Sequence, residues 1–188
     1  MKRLGLFRHA KSDWQDPRAR DFDRPLNERG RKGAALMGQH IHDQGPHWDR
    51  VISSPAIRCA ETIELACHAV GQPVAVNWDR RIYLASSATL ADLLRELDGD
   101  PKAVLMVGHN PGLEDLIFDL VPDDGSSPLR DVVEVKFPTA SYVVLEFDIE
   151  RWADLKERTG RLVHLTRPRD LDPDSRRSDS QIVVWCLA

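Results

Sequence analysis

Residues 3–12 read Arg-Leu-Gly-Leu-Phe-Arg-His-Ala-Lys-Ser. Residues 3–7 form an apolar run of strand length, and it stops abruptly at an Arg–His pair that the following loop must carry. In open α/β sheets, that end of a strand is where ligands bind. Working outward, the pattern predicts a helix over 27–44, a strand over 49–52, a helix over 55–70 and a strand over 74–77. A helix over 88–97 follows, then a strand over 103–107 apolar enough to be buried on both faces, and a helix opening at Pro111. Such alternation is the signature of βαβ units. Beyond Leu120 the pattern loosens through 122–138. Strands are expected over 141–147 and 181–187, with a weaker candidate over 161–165. The reading is α/β: a single domain over 1–188 with a central, mostly parallel sheet and helices on both faces. The polar, proline-bearing stretch 167–180 is expected to be a surface loop.

Composition sets the bounds. The chain has 188 residues, 41% hydrophobic and 30% charged, enough for the core of one domain. Lys and Arg number 26 against 30 Asp and Glu, a net charge of −4 that argues against a nucleic-acid partner. No window approaches the roughly 20 apolar residues of a membrane helix, so neither membrane insertion nor export is expected. Cys59 and Cys67, if on one helix, stand ~12 Å apart along its axis, beyond disulfide reach. A reducing cytoplasm fits that usage. The oligomeric state is left open.

Two further strand ends repeat the theme of the first. In Ser53-Ser54-Pro55-Ala56-Ile57-Arg58, Ser54 is expected to cap a helix, Pro55 to take its first position and Arg58 to project from its first turn. In Val107-Gly108-His109-Asn110-Pro111-Gly112, Asn110 is expected to cap and Pro111 to start the next helix, leaving His109 at the corner. Two arginines and two histidines then point toward one edge of the sheet. Any one of these motifs arises by chance, but three in order at the ends of parallel strands describe a site.

These residues resemble the histidine phosphatase superfamily, and within it the SixA-type phosphohistidine phosphatases that carry RHAKS where the mutases carry RHG. The resemblance rests on Arg8-His9-Ala10-Lys11-Ser12, Asp23-Arg24-Pro25-Leu26 through Gly30, Ser53-Ser54-Pro55 with Arg58 and Thr62, and Gly108-His109-Asn110-Pro111-Gly112, and extends to about Leu120. It implies a phosphoglycerate mutase-like fold, His9 as the nucleophile that takes the phosphoryl group, and Arg8, Arg58 and His109 completing a phosphate pocket.

That chemistry suits these residue types. A transferring phosphoryl group spreads negative charge over three oxygens, which planar arginine forks bind bidentately. A neutral imidazole attacks phosphorus and splits hydrolysis into two displacements, the second by water. The scheme requires His9 neutral and favours a protonated His109. It needs no metal or other cofactor, because Arg8, Arg58 and His109 supply the charge. The wider family's mutases carry a Glu general acid soon after the third strand; here the stretch reads Asp79-Arg80-Arg81-Ile82-Tyr83-Leu84, with Leu84 at about that place. A phosphohistidine, whose P–N bond is labile, depends less on such an acid than an alkyl ester does. Glu114, Asp115 and Tyr83 remain candidate donors, although acids in a helix's first turn are favoured by its dipole alone.

Lys11 and Ser12 are candidates to add a charge and a hydroxyl to substrate binding. Residues 23–27 are expected to pack the first loop and cap the following helix through Asn27. Glu61, three residues after Arg58, is placed either to orient it or to decorate the surface. His40, His42 and His47 lack the spacing of a metal site, and the five tryptophans lack the interleaved cations of a base-stacking platform and are expected to pack the core or its edges. Three readings follow: a metal-independent phosphatase acting on phosphohistidine in a protein partner, a phosphomonoesterase for a small phosphorylated substrate such as a sugar phosphate or nucleotide, and a phosphate- or phosphoprotein-binding module without turnover.

Overall fold

A computed structural model of the protein describes residues 1–172. Six strands form one sheet: β1 (Lys2–Arg8), β2 (Arg50–Ser53), β3 (Val76–Trp78), β4 (Ala103–Gly108), β5 (Tyr142–Phe147) and β6 (Gly160–Thr166), in the spatial order β3-β2-β4-β1-β5-β6. The first four run parallel, and β5 and β6 join antiparallel to β1 and to each other. The expected strand over 181–187 lies outside the described residues.

Alternation along the buried strands sends side chains to two cores. Leu4, Leu6, Val104 and Met106 face one layer, formed by α3 (Ser87–Arg95), α4 (Gly112–Leu120) and α5 (Pro128–Val135). Phe7, Leu105, Val107 and Tyr142 face the other, formed by α1 (Glu28–Gln44) and α2 (Ile57–Val70). Helices thus cover both faces, as expected. Within the second layer α1 and α2 approach closely at Gly38, where a Cβ would stand 2.4 Å from the Ala66 Cα.

Helix ends largely follow local chemistry. Asn27 Oδ1 accepts from Gly30 N at 2.8 Å and caps α1, as the sequence predicts. Two other caps do not hold. Helix α2 begins only at Ile57 without a side-chain cap, and α4 starts after Pro111, also uncapped, because Ser54 and Asn110 turn their side chains to other partners. Helix α5, capped by Ser127 with Pro128 in its first turn, lies in the stretch the periodicity left unassigned. The expected loop over 167–180 also needs correction where it is described: Pro168–Leu171 forms a short helix, α6, because Asp170 accepts from the Arg167 backbone and side chain. Trp152 is buried in the core, whereas Trp14 is 67% exposed and stacks on Arg24, its ring centre 4.1 Å from the guanidinium carbon, so the packing expected of the tryptophans fails there. Among the described residues, no helix is long and apolar enough to cross a membrane.

Candidate active site

The register of the parallel strands aligns the three strand-end motifs. Arg8 pairs with Gly108 and Ser53 with Val107, and the ladder continues past the strands as His9 N donates to Gly108 O and Ser54 N to Val107 O. His9, Ser54 and His109 therefore sit at one level at the C-terminal edge of the sheet, and α2 brings Arg58 over them. All four are buried. The His9 and His109 ring centres lie 5.1 Å apart.

The bonding around His9 fixes its tautomer. Nδ1 lies 2.7 Å from the Ala10 carbonyl, which can only accept, so the ring proton sits on Nδ1 and Nε2 keeps its lone pair. Arg58 Nε donates toward that Nε2 at 3.3 Å. Burial, reinforced by the nearby charges of Arg58 and Arg8, lowers the His9 pKa to about 4, so the imidazole is neutral at pH 7. The peptide after His9 is tied to α2 through Thr62, whose Oγ1 accepts from Ala10 N and donates to Arg58 O.

Arg58 is clamped by a residue outside the sequence-predicted set. Its Nη2 donates to Asp21 Oδ2 at 2.9 Å and its Nη1 to the Asp21 carbonyl at 2.5 Å, while Tyr83 donates its hydroxyl to the same carboxylate at 2.7 Å. These bonds hold Asp21 ionised, its pKa lowered despite partial burial. Glu61, weighed as the orienting residue, instead accepts from Leu26 N and braces the first loop.

Arg8 Nη1 donates to the Phe137 carbonyl at 2.6 Å, and Asn110 Nδ2 reaches the same carbonyl and Glu114 Oε2. Asn110 thereby joins α4 to the segment leading to β5 instead of capping its own helix. Ser54 Oγ accepts from Ala56 N and lies 2.8 Å from His109 Nε2. The other ring nitrogen of His109, Nδ1, is buried with no partner among the described residues. His109 was expected to be protonated. Burial, with His9 and Arg58 adding repulsion, instead lowers its pKa to about 3, and it too is neutral.

The remaining candidates part company. Lys11 is exposed and lines a cavity beside Arg8. Ser12 is buried in the first loop, where its Oγ accepts from Trp14 Nε1 and its backbone bridges to Leu26, so it does not join the cluster. Leu84 is 57% exposed and brings no carboxylate. His40 and His164 place their Nε2 atoms 2.9 Å apart, away from these residues, and among the described residues no group of three or more His, Cys, Asp or Glu is arranged to hold a metal.

Comparison with known proteins bears on the family and the fold. The family model described as histidine phosphatase superfamily (branch 1) matches residues 4–81. An uncharacterized protein of Mycobacterium tuberculosis is 32% identical over 164 residues, covering 87% of this chain and all of that protein. Among solved structures, a putative phosphohistidine phosphatase SixA from Agrobacterium tumefaciens superposes with a TM-score of 0.74 at 29% identity, covering 89% of this chain and 98% of that one. Its counterpart from Nakamurella multipartitia gives 0.75 at 27% identity, covering 89% and 96%. The fold is phosphoglycerate mutase-like. With the strand-end motifs, the sheet topology and these relatives in agreement, the chain belongs to the histidine phosphatase superfamily, in its SixA-type branch.

Proposed function

We propose that this phosphatase carries its phosphoryl group on His9 and that its substrate is phosphohistidine in a protein partner. One observation carries the reading: the Nδ1 proton of His9 is held by the Ala10 carbonyl, which leaves the lone pair on Nε2, where Arg58 Nε donates to it over a long 3.3 Å that an incoming phosphoryl group can displace. The Nε2 pair attacks phosphorus in line with the scissile P–N bond. That bond breaks and its electrons pass to the departing imidazole, which leaves neutral because its other ring nitrogen carries a proton in the reacting form of the substrate, and phosphorus is left on His9. Water then attacks the phosphoryl group, releases orthophosphate and restores neutral His9. Arg8 and Arg58 hold the equatorial oxygens, and the His109 imidazole donates to one of them, so transition-state charge is met by fixed donors without a metal. A phosphate bound among these groups reverses the electrostatics that keep His109 neutral and draws a proton onto it.

The acid that an alkyl leaving group requires is not supplied by Asp21, which is held ionised by Arg58 and Tyr83. This favours a labile P–N bond. A second reading, a small-molecule phosphomonoesterase, rests on Glu114, whose carboxylate lies at the site's edge on Asn110. Free Cys59 and Cys67 support a cytoplasmic setting. The test is phosphate release, in chelator, from a phosphohistidine peptide and from an alkyl phosphate. The wild type is expected to favour the peptide, and His9→Ala to lose both activities; faster release from the alkyl phosphate would transfer the assignment to the second reading.

A further inference from the structure

A chain with a net charge of −4 gathers six cations around one cavity of about 410 Å³: Arg8, Lys11, Arg29, Lys136, Arg167 and Arg169. Arg167 is matched by Asp170, which it grips with two hydrogen bonds of 3.0 Å. Lys11, Arg29 and Lys136 are exposed and form no ion pair among the described residues. The cavity is built onto the nucleophile motif itself. Arg8 forms part of its wall, Ala140 N donates to the carbonyls of Arg8 and His9 at 3.1 and 3.0 Å, and Asn27 N donates to the Lys11 carbonyl at 3.0 Å. Gly30 closes the join: a Cβ there would stand 2.1 Å from the Lys11 oxygen.

We propose that this cavity docks an acidic stretch of the phosphorylated polypeptide, holding its carboxylates while the phosphoryl group reaches His9. The inference rests on the function proposed above and names the chemistry of its partner. A compact polyanion needs several buried donors converging on one point. Here the two partly buried arginines serve elsewhere, Arg8 at the phosphoryl site proposed above and Arg167 in its pair with Asp170. The unmatched charges sit instead on long exposed side chains from separate segments, the arrangement that steers and retains an extended acidic surface.

The experiment compares kcat/KM for phosphohistidine peptides with glutamate-rich and lysine-rich flanks, in the wild type and in Arg29→Glu/Lys136→Glu, with phosphoramidate as a small donor that reaches only His9. Binding of unphosphorylated hexaglutamate and of tripolyphosphate is measured alongside. The wild type is expected to favour the acidic flank by roughly 10-fold or more at low salt, with the preference shrinking as salt screens it. The double variant should lose that preference and its hexaglutamate binding while phosphoramidate turnover stays unchanged. An absent preference, or one that survives in the variant, would overturn the proposal, as would tripolyphosphate binding at these residues with no hexaglutamate binding. If neither phosphoramidate nor any peptide is turned over, the catalytic reading fails; hexaglutamate binding lost on charge reversal would still establish the acidic docking site, and its absence would overturn it.

Discussion

His9 combines two properties that burial alone would set against each other, because it is removed from water yet keeps a lone pair on Nε2, met only by a long hydrogen bond from Arg58 Nε. The Ala10 carbonyl resolves this by holding the proton on Nδ1, and desolvation keeps the ring neutral. The pH consequences follow from sign. Unfolded histidine titrates near ~6.5, whereas folded His9 and His109 titrate at about 4 and about 3. Between these values the unfolded chain binds more protons than the folded one, so these residues' contribution to stability is complete above the unfolded pKa and declines as pH falls toward the folded values. NMR titration of His9 should show the neutral Nδ1–H tautomer persisting below pH 5; a midpoint near 6.5 would remove burial as the controlling effect. Asp21→Asn should loosen Arg58 and lower kcat/KM by roughly 10–100-fold, consistent with the cost of small misplacements of catalytic groups. Phosphate-release kinetics, with circular dichroism as a control on folding, would measure that loss. Arg8, His9, Arg58 and His109 were legible as cations and imidazoles at strand ends. Asp21 was not, because the first loop also carries Asp13, Asp16 and Asp23, and no periodicity selects one acid among them.

At the level of elements, patterning located the parallel strands and the helices between them within a few residues, because each buries a face with its own period. The departures mark competition between local preference and the site. Ser54 and Asn110 are good capping residues, yet one serves His109 and the other Phe137 and Glu114. Helix α5 escaped notice because only Arg130 and Val133 of its eight residues are buried, leaving a short and mostly exposed pattern. Close helix contact is the element-scale constraint most open to measurement. Gly38→Ala should force α1 from α2 and cost about 1–3 kcal/mol, a typical overpacking penalty. A urea midpoint unchanged from wild type would show that the two helices separate without strain. Since α2 carries Arg58 and Thr62, the same substitution is expected to lower activity in the fraction that remains folded.

Across the whole molecule, the topology explains why chemistry converges on one edge. Parallel strands β1, β2 and β4 lie side by side, so loops far apart in sequence leave the sheet together, and the antiparallel strand β5 returns the 137–140 segment against the same edge. The His9 cluster and the cationic cavity are thereby built on one sheet edge. The central claim is that phosphorus passes through His9 Nε2. The most direct measurement is rapid acid-free quenching of the enzyme with labelled phosphohistidine peptide or phosphoramidate, followed by mapping of the labelled residue. The account predicts one alkali-stable, acid-labile label on His9 that turns over to orthophosphate and is absent from His9→Ala. Label on another residue, or full turnover by His9→Ala, would contradict it.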